Sequence, residues 1–216
     1  MTDKTVQKAV LDELEWEPSV DAAHIGVTAS NGVVTLTGHV PTYAEKWAAE
    51  RAAGRVAGVK AVAEELEVRF PFSSTDTDDE IARRVLQTLG WDVSVPDNAV
   101  KAKVEKGWVT LTGEVDWYYQ SISAETDVRK LHGVAGVTNQ IKVKPRVYSG
   151  DVREKIKAAL TRHAQIEASD IGIVTDGGKV TLTGKVHTWR ERELAERTAW
   201  SAPGVTQVVD NLTVTW

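Results

Sequence analysis

The chain of 216 residues contains no cysteine, which excludes disulfide staples and thiolate metal centres and leaves stability to packing. It has no apolar run near the roughly 20 residues that a membrane-spanning helix needs. Its first residues, MTDKTVQKAVLDELEWE, place acids where a signal peptide has its apolar stretch. As written, the sequence reads as cytoplasmic, and as periplasmic if a signal peptide has been removed. A basic excess is also missing. The formal net charge is −5, and residues 1–70 carry 7 basic against 11 acidic side chains, 71–146 carry 10 against 11, and 147–216 carry 9 against 9. No segment has the surplus of cations that neutralising nucleic-acid phosphates requires, so no nucleic-acid partner is expected.

What the chain does have is repetition. VTLTG occurs three times, ending at Gly38, Gly113 and Gly184, and offsets of 75 and 71 residues align much else. Gly32, Gly107 and Gly178 precede the motif. Gly58, Gly133 and Gly204 follow at one common distance, each before a valine. The three copies match without a gap from Val6, Ile81 and Val152 to Val68, Val143 and Val214. Internal repetition at a fixed period governs the whole fold, and it predicts three domains, over residues 1–69, 76–144 and 148–216.

Each copy reads the same way. Val6, Val10 and Leu14, with their counterparts Ile81, Val85 and Leu89 and Val152, Ile156 and Leu160, recur at helical spacing. Asp3, Asp78 and Ser149 stand just ahead of these runs as expected caps. Alternating residues from Ile25, Val100 and Ile171 then predict a half-buried strand. Asn31-Gly32, Lys106-Gly107 and Gly177-Gly178 supply the tight turn into VTLTG. The glycine ending that motif lies on the apolar side, where a missing side chain implies that a helix or backbone passes close by.

A second helix follows, opened by Thr42-x-x-Glu45 and Thr188-x-x-Glu191 as expected capping boxes. Its inward stripe is rich in alanine, and a Gly-Val turn leads to the last strand. The fold class is therefore α+β: three tandem α-β-β-α-β units, each a three-stranded mixed sheet with two helices on one face. The last strand is expected to run parallel to the second, through a right-handed crossover.

A helix, then Asn-Gly-Val-Val-Thr-Leu-Thr-Gly-x-Val, an alanine-rich helix and Gly-Val-x-x-Val-x-x-x-Leu-x-Val resemble the BON domain, the family named for bacterial OsmY and nodulation proteins. The resemblance spans nearly the whole chain in three copies. It implies a bacterial protein connected with osmotic or envelope stress, with a role in binding phospholipid or attaching to membranes. Cytoplasmic members imply cation sensing instead. The better-known members are exported and carry two copies, and this chain departs from both features.

No catalytic residue, metal site or cofactor is expected. His24, His39, His132, His163 and His187 occupy different places in their repeats, and no H-E-x-x-H, G-x-S-x-G or phosphate loop is present. The suggestive residues are aromatic. Tyr43 and Trp47, then Trp117, Tyr118 and Tyr119, then Trp189 with Arg190 and Arg192 all gather at the start of the second helix of their copy. Trp108 projects from the polar sheet face beside Lys101 and Lys103. Such residues suit a phospholipid headgroup layer and suit a protein interface or self-association equally well. Sealing contacts between units is the third reading of the same residues. Phe70 and Phe72, in the first linker, are expected to dock on a neighbouring unit.

Overall fold

The computed structural model describes residues 2–70, 76–145, 151–163 and 170–215. The first repeat runs α1 (Asp3–Trp16), β1 (Ile25–Ser30), β2 (Val33–Val40), α2 (Tyr43–Arg55) and β3 (Ala61–Val68). The second runs α3 (Asp78–Trp91), β4 (Val100–Glu105), β5 (Trp108–Val115), α4 (Tyr118–Arg129) and β6 (Gly136–Val143). The third runs α5 (Val152–Arg162), β7 (Ile171–Asp176), β8 (Lys179–Val186), α6 (Trp189–Trp200) and β9 (Gln207–Val214). Among the described residues there are three three-stranded sheets, ordered β1-β2-β3, β4-β5-β6 and β7-β8-β9. The fold is α+β. The chain divides into two compact units, Met1–Gly113 with Gln120–Ile141, and Glu114–Tyr119 with Lys142–Trp216.

In the first repeat β1 pairs antiparallel with β2, which pairs parallel with β3, and β7, β8 and β9 repeat this arrangement. The hydrophobic pattern sets which face is covered. Val34, Leu36 and Val40 on β2 are fully buried, as are Val10 and Leu14 on α1 and Ala49, Ala52 and Ala53 on α2. Alanine on α2 keeps its backbone close to the sheet, since each missing methylene shortens the distance at which the helix can seat. In the third repeat Ile156, Leu160, Val180, Leu182, Ala195, Ala199 and Leu212 form the same core.

The caps differ from the sequence expectation. Thr2 and Thr77, one residue ahead of the expected Asp3 and Asp78, cap α1 and α3, and Asp151 caps α5; Ser149 lies outside the described residues. Asp78 has another task. Its carboxylate accepts from the backbone N–H of Lys106 (2.8 Å) and Gly107 (2.9 Å), which holds it below the usual carboxylate range. Lys106 sits at φ 52, a left-handed conformation disfavoured for a residue with a Cβ. The bonds from Asp78 hold that turn in place. At Thr42 and Thr188 the threonine half of the box forms, but Glu45 turns to the N–H of Asp21 and Glu191 to that of His187. Among the described residues a complete capping box forms at Thr77 and Glu80.

What passes close to the VTLTG glycine is backbone. A Cβ built on Gly38, Gly113 or Gly184 would collide with the carbonyl oxygen of His24, Ala99 or Asp170, just ahead of the first strand. In the third hairpin the positive φ falls on Gly177, at 56°. A Cβ on Gly178 would instead meet the carbonyl oxygen of Gly204 at 2.9 Å.

Candidate functional site

The eight residues singled out at the start of the second helices have different surroundings. The ring of Trp47 is covered by Arg51, at 4.7 Å, and by Arg129 of the second repeat, at 4.2 Å. Tyr118 stacks on Trp200 of the third repeat, with centroids 4.3 Å apart and planes 9° from parallel. Trp189 lies under Arg192 at 4.9 Å, and Arg192 bonds Asp210 at 2.6 Å. Tyr119 and Arg190 are exposed, while Tyr43 and Trp117 are half-buried.

Two of these contacts follow one rule. Arg129 and Trp200 occupy the same place in the repeat, near the end of the second helix, and each covers an aromatic ring of the repeat before it. Gly54 holds that place in the first repeat, with open space where a side chain would be. In the linker, Phe70 approaches the ring of His132 at 5.8 Å, and Phe72 lies outside the described residues.

A polar seam between second helix and last strand also recurs, and its signal was available from the repeat offsets. Lys46 bonds Glu64 at 2.8 Å, and Arg192 bonds Asp210 in the equivalent place. In the second repeat the pair becomes neutral, Ser121 with Asn139. One turn along the helix stand Glu50, Glu125 and Glu196. Partial burial, with Asp210 nearby, pushes the carboxyl of Glu196 above its ordinary range. A raised folded-state value means that its stabilising contribution is complete below the unfolded value and is lost as pH rises through the folded one. Glu196→Gln is therefore expected to raise the melting temperature at about pH 7 and to leave it unchanged at about pH 3, where the wild-type carboxyl is already neutral. Equal effects at both pH values would contradict this.

The most exposed large apolar residues were not among those singled out. Trp16 and Trp91 end the first helices of repeats one and two and are 82% and 77% exposed. The offset of 75 residues aligns them, two positions beyond the inward Leu14 and Leu89, where a helix faces away from its core. Fully exposed Val93 follows Trp91 just past the helix end, whereas Leu86, 57% exposed, lies five positions back and about 140° around the helix. The carboxylate between Trp91 and Val93, that of Asp92, is turned to partners. Burial pushes its carboxyl up, but bonds from the Ser123 hydroxyl (2.5 Å) and the Ser94 N–H (2.8 Å) outweigh this and hold it below the carboxylate range. Trp16 has acidic neighbours instead. Glu13 and Glu17 are drawn to Arg55, at 2.9 and 2.8 Å, leaving exposed Glu15 beside it.

Among the described residues no group of three or more His, Cys, Asp or Glu is arranged to hold a metal ion. His24 and His39 stack on each other at 4.7 Å. No described helix is long and apolar enough to cross a membrane.

The family model described as "BON domain" matches three times, over residues 2–69, 77–145 and 149–215. The chain belongs to the BON domain family. It is 32% identical over 152 residues to the osmotically-inducible protein Y of Escherichia coli strain K12, covering 67% of this chain and 74% of that one. It is 25% identical over 145 residues to the 21 kDa hemolysin of Actinobacillus pleuropneumoniae, covering 63% and 74%. A solved C-terminal domain of CdsD, a structural protein of the type III secretion system of Chlamydia trachomatis, aligns over 100% of both chains at 13% identity with a TM-score of 0.27, too low to bear on the fold.

Within the BON framework the repeated residues are turn glycines and aliphatic core positions. The features that differ between domains are at the surface. The first BON domain has Trp16 among acids, the second has exposed Trp91 and Val93 on either side of Asp92, and the third has Arg162 at the corresponding helix end.

Proposed function

We propose that this is a non-enzymatic bacterial BON protein of the osmotic or envelope stress response that associates with phospholipid surfaces through the tip of its second domain. The observation that carries the reading is the exposed pair Trp91 and Val93 at the end of α3, with the carboxylate between them turned to Ser94 and Ser123. An indole beside an aliphatic side chain suits the boundary between headgroups and acyl chains, where ring and N–H are both satisfied. A net charge of −5 opposes anionic lipid, so a contact made by apolar side chains is the form such binding would take. The names of the relatives agree in direction: one is called osmotically inducible, the other a hemolysin. Tyr119 and Arg190, exposed at the starts of their helices, are proposed as additional contacts.

Sedimentation with phosphatidylcholine vesicles, with and without phosphatidylglycerol, tests this. Trp91→Ala is expected to weaken association about tenfold, since burying such a ring contributes roughly 1.5–3 kcal/mol, while leaving the melting temperature unchanged.

A second reading, a soluble scaffold, draws on the way Trp47 and Tyr118 are used between domains. Under that reading Trp91→Ala changes oligomeric state in light scattering and leaves vesicle association as it was.

A further inference from the structure

We propose that the outer face of the second domain's sheet carries a carbohydrate-stacking platform built on Trp108. The ring lies flat on the sheet: a Cβ built on Gly136 would run into three atoms of its six-membered ring. The indole N–H donates to the Thr138 hydroxyl at 2.8 Å, which fixes the ring in its plane, and the residue remains 48% exposed. Three positions that make this seat all differ from those of the other two domains. Where the second domain has Trp108, Gly136 and Thr138, the first has Val33, Ala61 and Ala63 and the third has Lys179, Gln207 and Val209.

The seat and its surroundings select the ligand. Because the N–H is spent on Thr138, what Trp108 offers is a π face, negative at its centre. Across the strand pair Glu105 stands directly opposite Trp108, Lys103 opposite Thr110 and Lys101 opposite Thr112. Lys103 bonds Glu105 at 2.9 Å, and both lie on the exposed side with Lys101. Lys101 and Lys103 stand on β4, across β5 from the strand over which the ring lies, and give this sheet face no preference for a cationic ligand. Lys103 and Glu105 offset each other, so with Lys101 the three charges sum to one, too few to hold a phosphodiester chain, and a single ring falls short of the two or three stacked bases by which sheet faces hold single strands. A pyranose fits both features. Its axial C–H face is apolar and weakly positive and packs on the indole, while its hydroxyls meet an acceptor in Glu105 and donors in Lys101, Lys103 and Thr110. The ligand class is therefore a neutral oligosaccharide.

Proton–nitrogen NMR of the full chain tests this directly, because the Trp108 indole N–H is a resolved probe. The titrants are cellohexaose and the hexamer of N-acetylglucosamine, with a 15-residue oligothymidylate as the competing chemistry. At least one hexasaccharide is expected to shift the Trp108 indole signal and the amides from Lys103 to Thr110. Trp108→Ala should weaken that association at least tenfold. Gly136→Ala, which keeps the indole but lifts it from its seat, should weaken it comparably. If no hexasaccharide moves the Trp108 signal, or if the oligothymidylate moves it and the sugars do not, the proposal is overturned. Binding that survives Trp108→Ala overturns it as well.

Discussion

Gly113→Ala is expected to unfold the second BON domain. Gly113 has φ 138, and its new Cβ would be driven into the carbonyl oxygen of Ala99. That oxygen belongs to backbone held just before Val100, the register partner of Gly113, so neither side can retreat without breaking the strand pair. A collision of this kind belongs with the largest effects of single substitutions, about 4 kcal/mol or more. A domain of this size has a total stability of only about 4–10 kcal/mol. Gly38→Ala and Gly184→Ala are equivalent in the first and third domains, at φ 116 and 122. Urea denaturation followed by circular dichroism should show a loss of about one third of the cooperative signal. Gly54→Ala is the control. With open space at its Cβ and a helical backbone, it should stabilise by about 0.5–1 kcal/mol. A Gly113→Ala protein that denatures like wild type would refute the close backbone approach.

Arg129→Ala is expected to destabilise the pairing of the first two domains by roughly 2–4 kcal/mol. The Arg129 guanidinium lies over Trp47 and is paired with Glu125, which also accepts from Asn139 at 2.9 Å. Both charged side chains are largely removed from solvent. Truncation uncovers one face of Trp47 and leaves the carboxylate of Glu125 without its cation, and an unpaired charge in such surroundings costs more than the lost contact itself. Lysine is not a substitute, because a point charge cannot both lie flat on an indole and fork onto a carboxylate. In calorimetry the wild-type first and second domains should unfold together, whereas Arg129→Ala should separate them into two transitions. Arg129→Lys should recover less than half of the loss. A single unshifted transition in Arg129→Ala would show that this contact does not couple them.

Much of the fold was legible in the sequence because three aligned copies average out the ambiguity of any one. The turn dipeptides, the alternation of β1 and β2 and the parallel return of β3 all follow from that pattern. The caps were less legible. Threonine and aspartate both cap well, so Thr77 and Asp78 cannot be ranked by local preference. What decides is tertiary, since Asp78 is needed by the hairpin at Lys106 and Gly107. The aromatic rim could be seen as a cluster, but not which members are covered. The partner of Trp47 is Arg129, in another domain and far along the chain, and no periodicity connects them. Trp108 was legible as outward-facing, yet that it lies flat depends on Gly136, whose role appears once β6 is beside β5. Trp91 was available from the offset that aligns it with Trp16, and its exposure follows from its place beyond Leu89.

The most direct measurement is fluorescence quenching by phosphatidylcholine vesicles with brominated acyl chains, compared between wild type and Trp91→Phe. If the second domain's tip enters the lipid surface, bromine should quench the wild type, and removing Trp91 should abolish most of that quenching. Equal quenching in both proteins would move the contact elsewhere on the chain, and no quenching in either would contradict association with phospholipid altogether.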